Sequence, residues 1–260
     1  IAIDSNNENV WYVAVGSGGV WKTKNAGTTW MPLTDNMPFY STGSITIDPN
    51  DSSRIWVGTG ENVAGRHVGI GHGIYLSKDS GSTWDDMGLN KSEHISKIIV
   101  HPDNSNIIWV ASQGPLWNSG GDRGLFMSTD GGNSWSNKLY VNEWTGVTDI
   151  IIDPTNPDIL YAATWQRHRN VASLIDGGPG TSIYKSIDGG NTWNEIDSGL
   201  PSSNMGKIGL AISPMKPEVI YAAIELDRRS GAVYRSDNSG GVWKKMSNTV
   251  AGATGPHYYQ

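Results

Sequence analysis

One short pattern occurs five times along the chain and constrains the fold more than any other feature. The copies are TKNAGTTW (23–30), SKDSGSTW (77–84), STDGGNSW (128–135), SIDGGNTW (186–193) and SDNSGGVW (236–243). Consecutive copies end 50 to 58 residues apart. A period of this length, maintained along the whole chain, indicates an array of similar structural units rather than a single irregular core.

The segments around these octets predict strands. A second repeated segment, such as ITIDPNDSSRIWVGTG (45–60), alternates β-branched or aromatic residues with polar ones, which is typical of half-buried strands. Asp-Pro and Asn turns interrupt it. In the first unit we expect strands near Ile1–Asp4, Val10–Val15, Val20–Thr23 and Thr29–Leu33. No segment of ten residues has a helical period, so the chain is predicted to be an all-β propeller with four-stranded antiparallel blades.

The repeat also predicts how the chain is divided. We expect one propeller domain over 1–260, with blades at about 1–36, 43–88, 95–141, 146–198 and 206–247, and the start of a further strand at 256–260. The chain begins at Ile1 without Met or a signal peptide. We therefore expect a piece of a longer, mature protein, whose remaining blades would pack against these five.

Each residue type in the octets has a predicted structural role in a hairpin between the third and fourth strands. The Asp or Asn side chain accepts backbone N–H bonds, the Gly adopts positive φ, and the Trp packs between blades. The residues assigned these roles are Asn25, Gly27, Trp30, Asp79, Gly81, Trp84, Asp130, Gly132, Trp135, Asp188, Gly190, Trp193, Asn238, Gly240 and Trp243.

Composition narrows the possible functions. Cysteine is absent, which excludes disulfides and thiolate metal sites. The net charge of −6 argues against nucleic-acid binding, and no apolar run is long enough to span a membrane. The histidines have no second ligand at metal-binding spacing, so we predict no metal site and no cofactor.

The octets match the Asp-box, S/T-x-D-x-G-x-T/S-W. Together with GGVWKT (18–23), GTGEN (58–62), QGPLW (113–117) and DGGP (176–179), they make the chain resemble Asp-box (bacterial neuraminidase repeat) β-propellers. Within that group it is most similar to sortilin-type propellers and their bacterial relatives labelled glycosyl hydrolases. The resemblance implies a bacterial protein that is secreted, periplasmic or on the cell surface. Xyloglucan-cleaving propellers share the octets and carry a catalytic Asp before the Gly-Gly of the first blade, where this chain reads VGSGG (15–19).

The loops that join second to third strands provide the candidate binding face. Strand alternation sends these loops to one end of the blades, and ligand contacts concentrate on loops carried by a rigid scaffold. The loops are 60–72, 113–123, 165–181 and 225–231. The candidate ligand-binding residues are Glu61, Arg66, His67, Trp117, Arg123, Arg167, His168, Arg169 and Asp227. The alternative for each is an ordinary solvated loop residue or blade packing.

Three functions fit these features. The sequence favours a sortilin-like module that binds a protein, peptide or glycan without catalysis, and it assigns no catalytic residue. The alternative is a glycoside hydrolase, sialidase-like or xyloglucanase-like, which needs two carboxyl groups about 5–10 Å apart. The carboxyls that could form such a pair are those of Glu61, Asp122, Asp176, Glu225 and Asp227. The third possibility is a structural module of a large secreted assembly.

Overall fold

A computed structural model describes residues 1–65, 67–226 and 230–249. The predicted strand at 256–260 lies outside these ranges. Every regular element in the described ranges is a β-strand, and the strands form five antiparallel sheets. The all-β prediction is therefore confirmed. No helix in these ranges is long and apolar enough to cross a membrane.

The five sheets are the five blades, numbered here in chain order. Blade 1 contains β1 (Ala2–Ile3), β2 (Trp11–Val15), β3 (Gly19–Thr23) and β4 (Met31–Pro32). Blade 2 contains β5 (Thr42–Asp48), β6 (Asp51–Thr59), β7 (Ile74–Ser77) and β8 (Asp85–Asp86). Blade 3 contains β9 (Ile95–His101), β10 (Asn104–Gln113), β11 (Arg123–Ser128) and β12 (Ser136–Leu139).

The last two blades follow the same plan. Blade 4 contains β13 (Thr145–Ile152), β14 (Leu160–Arg169), β15 (Leu174–Asp176), β16 (Ile183–Ser186) and β17 (Asn194–Glu195). Blade 5 contains β18 (Ile208–Ser213), β19 (Lys216–Leu226), β20 (Ser230–Ser236) and β21 (Lys244–Thr249). In each blade the four main strands pair in chain order, so each sheet is a meander as predicted.

Blade 4 departs from the predicted loop at 165–181. Strand β14 continues through Arg167 and Arg169, and β15 pairs with it, placing Arg167 opposite Asp176 and Arg169 opposite Leu174. Residues 167–169 therefore belong to a strand extension. Buried backbone groups need hydrogen-bond partners, and the added hairpin provides them where a bare loop would not.

The first strands of successive blades lie side by side around the centre. The Thr46 hydroxyl of β5 donates to the Ile98 carbonyl of β9 (2.8 Å), and the Ser96 hydroxyl of β9 donates to the Val147 carbonyl of β13 (3.2 Å). The Leu210 N–H of β18 donates to an Asp149 carboxylate oxygen (2.8 Å). Apolar clusters fill the layers between blades, for example Trp56, Ile98 and Val110 between blades 2 and 3. This arrangement directs the first strands toward the axis, as in a propeller.

The octets form closed turns at the opposite end of the blades from the long loops. In blade 2, Asp79 accepts a hydrogen bond from the Thr83 N–H (2.8 Å), and the Ser77 hydroxyl accepts one from the Gly81 N–H (2.7 Å). Gly81 has a φ of 94°, which a residue with a Cβ adopts only at a cost. The carboxylate or amide oxygens of the other octets accept from the N–H groups of Thr29, Ser134, Thr192 and Val242.

The octet tryptophans link consecutive blades, but not all in the same way. The indole N–H groups of Trp84, Trp135 and Trp243 donate to backbone carbonyls of the preceding blade, at Leu33, Met87 and Ile196. Trp193 donates to Gly190 in its own octet. Trp30 has no preceding described blade and is 39% exposed. Its indole contacts Trp11 of its own blade instead.

Candidate functional site

A short segment of the 60–72 loop crosses from blade 2 to the other blades. We call residues 61–64 the central strap. Each of its four carbonyls accepts a hydrogen bond from a side chain beyond blade 2. The His94 Nδ1–H donates to Glu61 (2.9 Å), Lys207 Nζ to Asn62 (2.7 Å), Arg167 Nη1 to Val63 (2.8 Å) and Arg169 Nε to Ala64 (3.1 Å). The strap therefore connects blade 2 to blades 3, 4 and 5.

Of the four donors that hold the strap, His94, Arg167 and Arg169 are buried and Lys207 is half-buried. Arg167 is fully buried, and this burial, reinforced by the nearby Arg123, lowers its pKa to about 9. Burial and the charge of Arg167 lower the pKa of Lys207 to about 8. His94 is also buried, which lowers its pKa well below the ordinary value and keeps the ring neutral. The Trp165 ring lies 5.0 Å from the Arg167 guanidinium carbon and 5.4 Å from Lys207 Nζ.

Arg123 organises the neighbouring loop in the same manner. Arg123 is buried, and its guanidinium donates to five backbone carbonyls. The acceptors are the carbonyls of Gln113, Pro115, Asn118, Gly120 and Trp144. Burial lowers its pKa to about 10, so the group stays charged at neutral pH. Several donors on one planar fork let a single side chain satisfy an otherwise unpaired turn.

The predicted ligand-binding residues differ in their burial and in the groups they contact. The buried Arg123, Arg167 and Arg169 direct donors to backbone carbonyls at this end of the ring, and their assignment as ligand contacts stays a prediction. His67 is exposed, and Trp117 packs against the apolar cluster around Trp165. The His168 ring meets Trp144 edge-on at 4.2 Å. Arg66 and Asp227 lie outside the described residues.

Glu61, at the start of the strap, reaches back to blade 1. One carboxylate oxygen accepts a hydrogen bond from the Ser17 hydroxyl, and the other accepts one from the Gly69 N–H (3.0 Å). Glu61 lines a cavity of about 250 Å³ together with Gly16, Thr42 and Gly43. The stretch 15–19, which contains no carboxylate of its own, thus has one beside it from the next blade.

A larger cavity of about 420 Å³ lies on the other side of Asn62, which lines both cavities. Its wall includes Thr148 of β13, Lys207 and Glu225. Burial and the neighbouring Asp176 raise the pKa of Glu225 to about 7. The two cavities share Asn62, and we call the two together the central groove. Within the described ranges no group of three or more His, Asp or Glu side chains is arranged to hold a metal.

Sequence reasoning missed several residues of this groove. Asn62, His94 and Lys207 were not among the predicted ligand-binding residues, although all three touch the strap or line its cavities. Asn62 follows Glu61 directly, and His94 lies in a blade-to-blade loop, so position alone could have drawn attention to both. Lys207 has no local signal, because its partner is 145 residues away in the chain.

The blades and the groove define this chain as part of a β-propeller. Residues 18–139 match the family described as Sortilin, neurotensin receptor 3. Over nearly the whole chain the sequence is similar to xyloglucanases. It is 25% identical over 274 residues to Xyloglucanase Xgh74A of Acetivibrio thermocellus, covering 96% of this chain and 30% of that protein. It is 25% identical over 283 residues to a xyloglucanase of Hypocrea jecorina, covering 95% of this chain and 32% of that protein.

Solved structures support the same fold. The chain superposes on a GH74 enzyme of Niastella koreensis with a TM-score of 0.70 at 18% identity, covering 94% of this chain and 37% of that one. An ancestral GH74 enzyme gives a TM-score of 0.72 at 24% identity, covering 94% of this chain and 30% of that one. This chain thus spans about a third of the length of the proteins it matches.

Proposed function

We propose that this chain is part of a glycoside hydrolase that acts outside the cell on a polysaccharide of the xyloglucan class. The observation that carries the proposal is the Glu61 carboxylate, held by Ser17 at the wall of the central groove. The similarity to xyloglucanases along nearly the whole chain supports it. Both favour the enzyme alternative over the sequence-based preference for binding without catalysis.

The surroundings of Glu61 suit a carboxylate that acts on water. Two donors orient its oxygens, and the side chain faces a cavity whose wall contains Gly16 and Gly43. A Cβ added at Gly16 would lie 3.3 Å from a Glu61 oxygen, so a larger residue there would press on the carboxylate. A positioned carboxylate accepts a proton from the water that attacks the anomeric carbon, which is the general-base half of glycoside hydrolysis.

The test uses the full-length protein. Xyloglucan, unbranched β-glucan and xylan are incubated with it, and new reducing ends are measured. We expect cleavage of xyloglucan, and Glu61→Gln should reduce kcat by about 10²- to 10⁴-fold, the usual contribution of a general base. Glu143→Gln is the control, because Glu143 is an exposed carboxylate of a blade-to-blade loop. Equal activity of wild type and Glu61→Gln would refute the assignment.

Peptide binding is the second candidate, and the match of residues 18–139 to the sortilin family favours it. In this case the central groove would hold an extended segment without cleaving it. Calorimetric titration with a peptide library distinguishes the two functions. Binding of peptides by a full-length protein that cleaves no polysaccharide would establish this alternative.

A further inference from the structure

A third cavity adjoins the 15–19 stretch, and the proposed role of Glu61 does not use it. Its volume is about 260 Å³, and the residues in its wall include Gly18, Gly19, Thr34, Asp35, Phe39 and Tyr40. We call it the Tyr40 cavity. A concave site that combines an aromatic ring with a few polar groups is a general feature of small-molecule and sugar pockets.

Local backbone contacts fix the wall of the Tyr40 cavity. The Gly19 N–H donates to the Tyr40 carbonyl (2.9 Å), which ties the loop before β5 to the start of β3. The Thr34 hydroxyl accepts a hydrogen bond from the Val20 N–H (2.9 Å). Gly19 has a φ of 66°, and a Cβ at this position would collide with the Thr34 hydroxyl oxygen, so only glycine fits. The wall is therefore formed before any ligand binds.

The two aromatic residues of this loop differ in exposure. Phe39 is 4% exposed, and its ring centre lies 4.6 Å from that of Tyr75 in β7. Tyr40, the next residue, is 68% exposed. An exposed aromatic side chain leaves in water a large apolar area that a ligand can cover. Phe39 thus anchors the loop, while the side chain of Tyr40 stays available to a ligand.

The charge of the wall selects among ligands. Among the described residues that line the Tyr40 cavity, Asp35 is the one charged side chain, and it is exposed. A carboxylate accepts hydrogen bonds from hydroxyl groups and repels other carboxylates. The face of a pyranose ring carries C–H groups that leave water when an aromatic ring covers them, and its hydroxyls lie around the edge. Tyr40 and Asp35 in one wall therefore suit a neutral sugar rather than an acidic one.

The Tyr40 cavity lies close to the cavity that Glu61 lines. Residues 40–42 pair with residues 16–19, and Ser41 lies opposite Ser17. One end of this pairing, Gly16 and Thr42, lines the Glu61 cavity, and the other lines the Tyr40 cavity through Gly18, Gly19 and Tyr40. Two residues separate the ends, which is about 7 Å of extended backbone. Neighbouring units of one polysaccharide chain can therefore occupy the two cavities.

We propose that the Tyr40 cavity is a subsite for a neutral sugar unit, whose ring stacks on Tyr40 and whose hydroxyls donate to Asp35. This inference deepens the proposed glycoside hydrolase function and rests on it for the identity of the polysaccharide. No bond forms or breaks in the subsite. It contributes affinity, and by holding one unit it determines which neighbouring unit reaches the Glu61 carboxylate.

The first experiment measures binding separately from cleavage. Full-length protein carrying Glu61→Gln is titrated calorimetrically with xyloglucan oligosaccharides. Adding Tyr40→Ala should weaken binding at least about 10-fold, because the stacking area is lost, whereas Tyr40→Phe should stay within about 3-fold. Tyr140→Ala is the matched control, since Tyr140 is 59% exposed in another blade-to-blade loop and lines none of the three cavities. Unchanged binding by Tyr40→Ala would overturn the proposal.

The second experiment varies the charge of the ligand. The same protein should bind xyloglucan oligosaccharides at least about 10-fold more tightly than oligogalacturonates of equal length. Asp35→Asn should reduce this ratio about 3-fold or more, because it removes the repulsion of the acidic sugar. Asp35 and Tyr40 are exposed, so their variants should unfold at the wild-type temperature. A preference for the acidic sugar, or a ratio unaffected by Asp35→Asn, would contradict the role of Asp35.

Failure of this inference is distinguishable from failure of the proposed function. If wild type cleaves xyloglucan and Tyr40→Ala does so with the same KM, the subsite is refuted and the proposed function stands. If the protein binds neutral oligosaccharides through Tyr40 but cleaves none, the hydrolase function is refuted and the subsite stands. If it binds no glycan at all, both are refuted.

Discussion

The two ends of the blades are stabilised in different ways. At the octet end, each turn is closed by bonds between residues two to four positions apart, such as those of Asp79 and Ser77. At the strap end, the four carbonyls of residues 61–64 accept from donors 33, 145, 104 and 105 residues away. The octets are therefore five similar local structures, whereas the strap is one structure shared by four blades. A substitution in an octet should therefore disturb one blade or its immediate neighbour, whereas a substitution at the strap should destabilise several blades.

The largest loss of stability is expected for a substitution at the strap. Arg167→Met should lower the free energy of unfolding by about 3–5 kcal/mol, because it removes a buried charge and leaves Asp176 and the carbonyls of Val63 and Gly114 without that partner. Urea denaturation measures the change. Lys78→Met, in an exposed ion pair with Asp85, is the control and should stay within about 0.5 kcal/mol. Similar values for both variants would contradict the comparison.

A smaller loss of stability is expected for substitution of an octet tryptophan that contacts a neighbouring blade. Trp135→Ala should cost about 3 kcal/mol, since its indole packs edge-on against the buried Trp56 and donates to Met87. Trp30→Ala should cost only about 1 kcal/mol, because that side chain is 39% exposed. Thermal unfolding of the two variants measures the difference. Equal losses of stability in the two variants would mean that contact with the preceding blade does not contribute to the stabilisation by the octet tryptophans.

Glu225 should make stability depend on pH in the direction opposite to most carboxylates. Its pKa rises from 4.5 to about 7 on folding, so the folded protein binds the additional proton between these values and stability falls as pH rises through that window. Solvent screening limits the change to about 1 kcal/mol. Glu225→Gln should remove this dependence. Denaturation curves at pH 5 and pH 8 test it, and a variant with an unchanged slope would exclude Glu225 as the titrating group.

The smallest effect is expected for a single octet carboxylate. Hydrogen bonds from the Ser134 hydroxyl and N–H lower the pKa of Asp130 from 3.8 to about 2. Its contribution is therefore complete above pH 4 and is lost as the pH falls toward 2. Asp130→Asn should slightly reduce the acid sensitivity of unfolding between these values while leaving glycan cleavage unchanged. Altered cleavage would show that the two ends are coupled.

The strands and their order could be predicted because their signals are local. In blade 1 the observed strands β1 to β4 correspond to those expected near Ile1–Asp4, Val10–Val15, Val20–Thr23 and Thr29–Leu33. The two edge strands of this sheet, β1 and β4, are shorter than expected. Alternation of side chains and turn residues operates within a few positions, so one sequence is enough to detect it. The blade limits and the roles assigned to individual octet residues stay predictions.

The candidate site was predictable only in part. The position of Glu61 in a long second-to-third-strand loop pointed to the end of the blades where Glu61 lines a cavity, and its role as a ligand contact stays a prediction. Residues 165–169 were expected in an exposed loop, but β15 extends the sheet there and the arginines become buried. The sequence cannot distinguish an exposed loop from a strand extension here. In both, a charged side chain follows an apolar strand, and it can face solvent or donate to a buried carbonyl.

The sequence by itself determined the repeating unit: five octets and their flanking strands specify four-stranded blades, since every interaction involved lies within one unit or between consecutive units. Only the tertiary structure decided what occupies the centre. The strap, the cations that hold it and the electrostatic effect of Asp176 on Glu225 join residues from different blades. Such contacts depend on how the blades are arranged around the axis, and no local pattern encodes which side chain meets which carbonyl there.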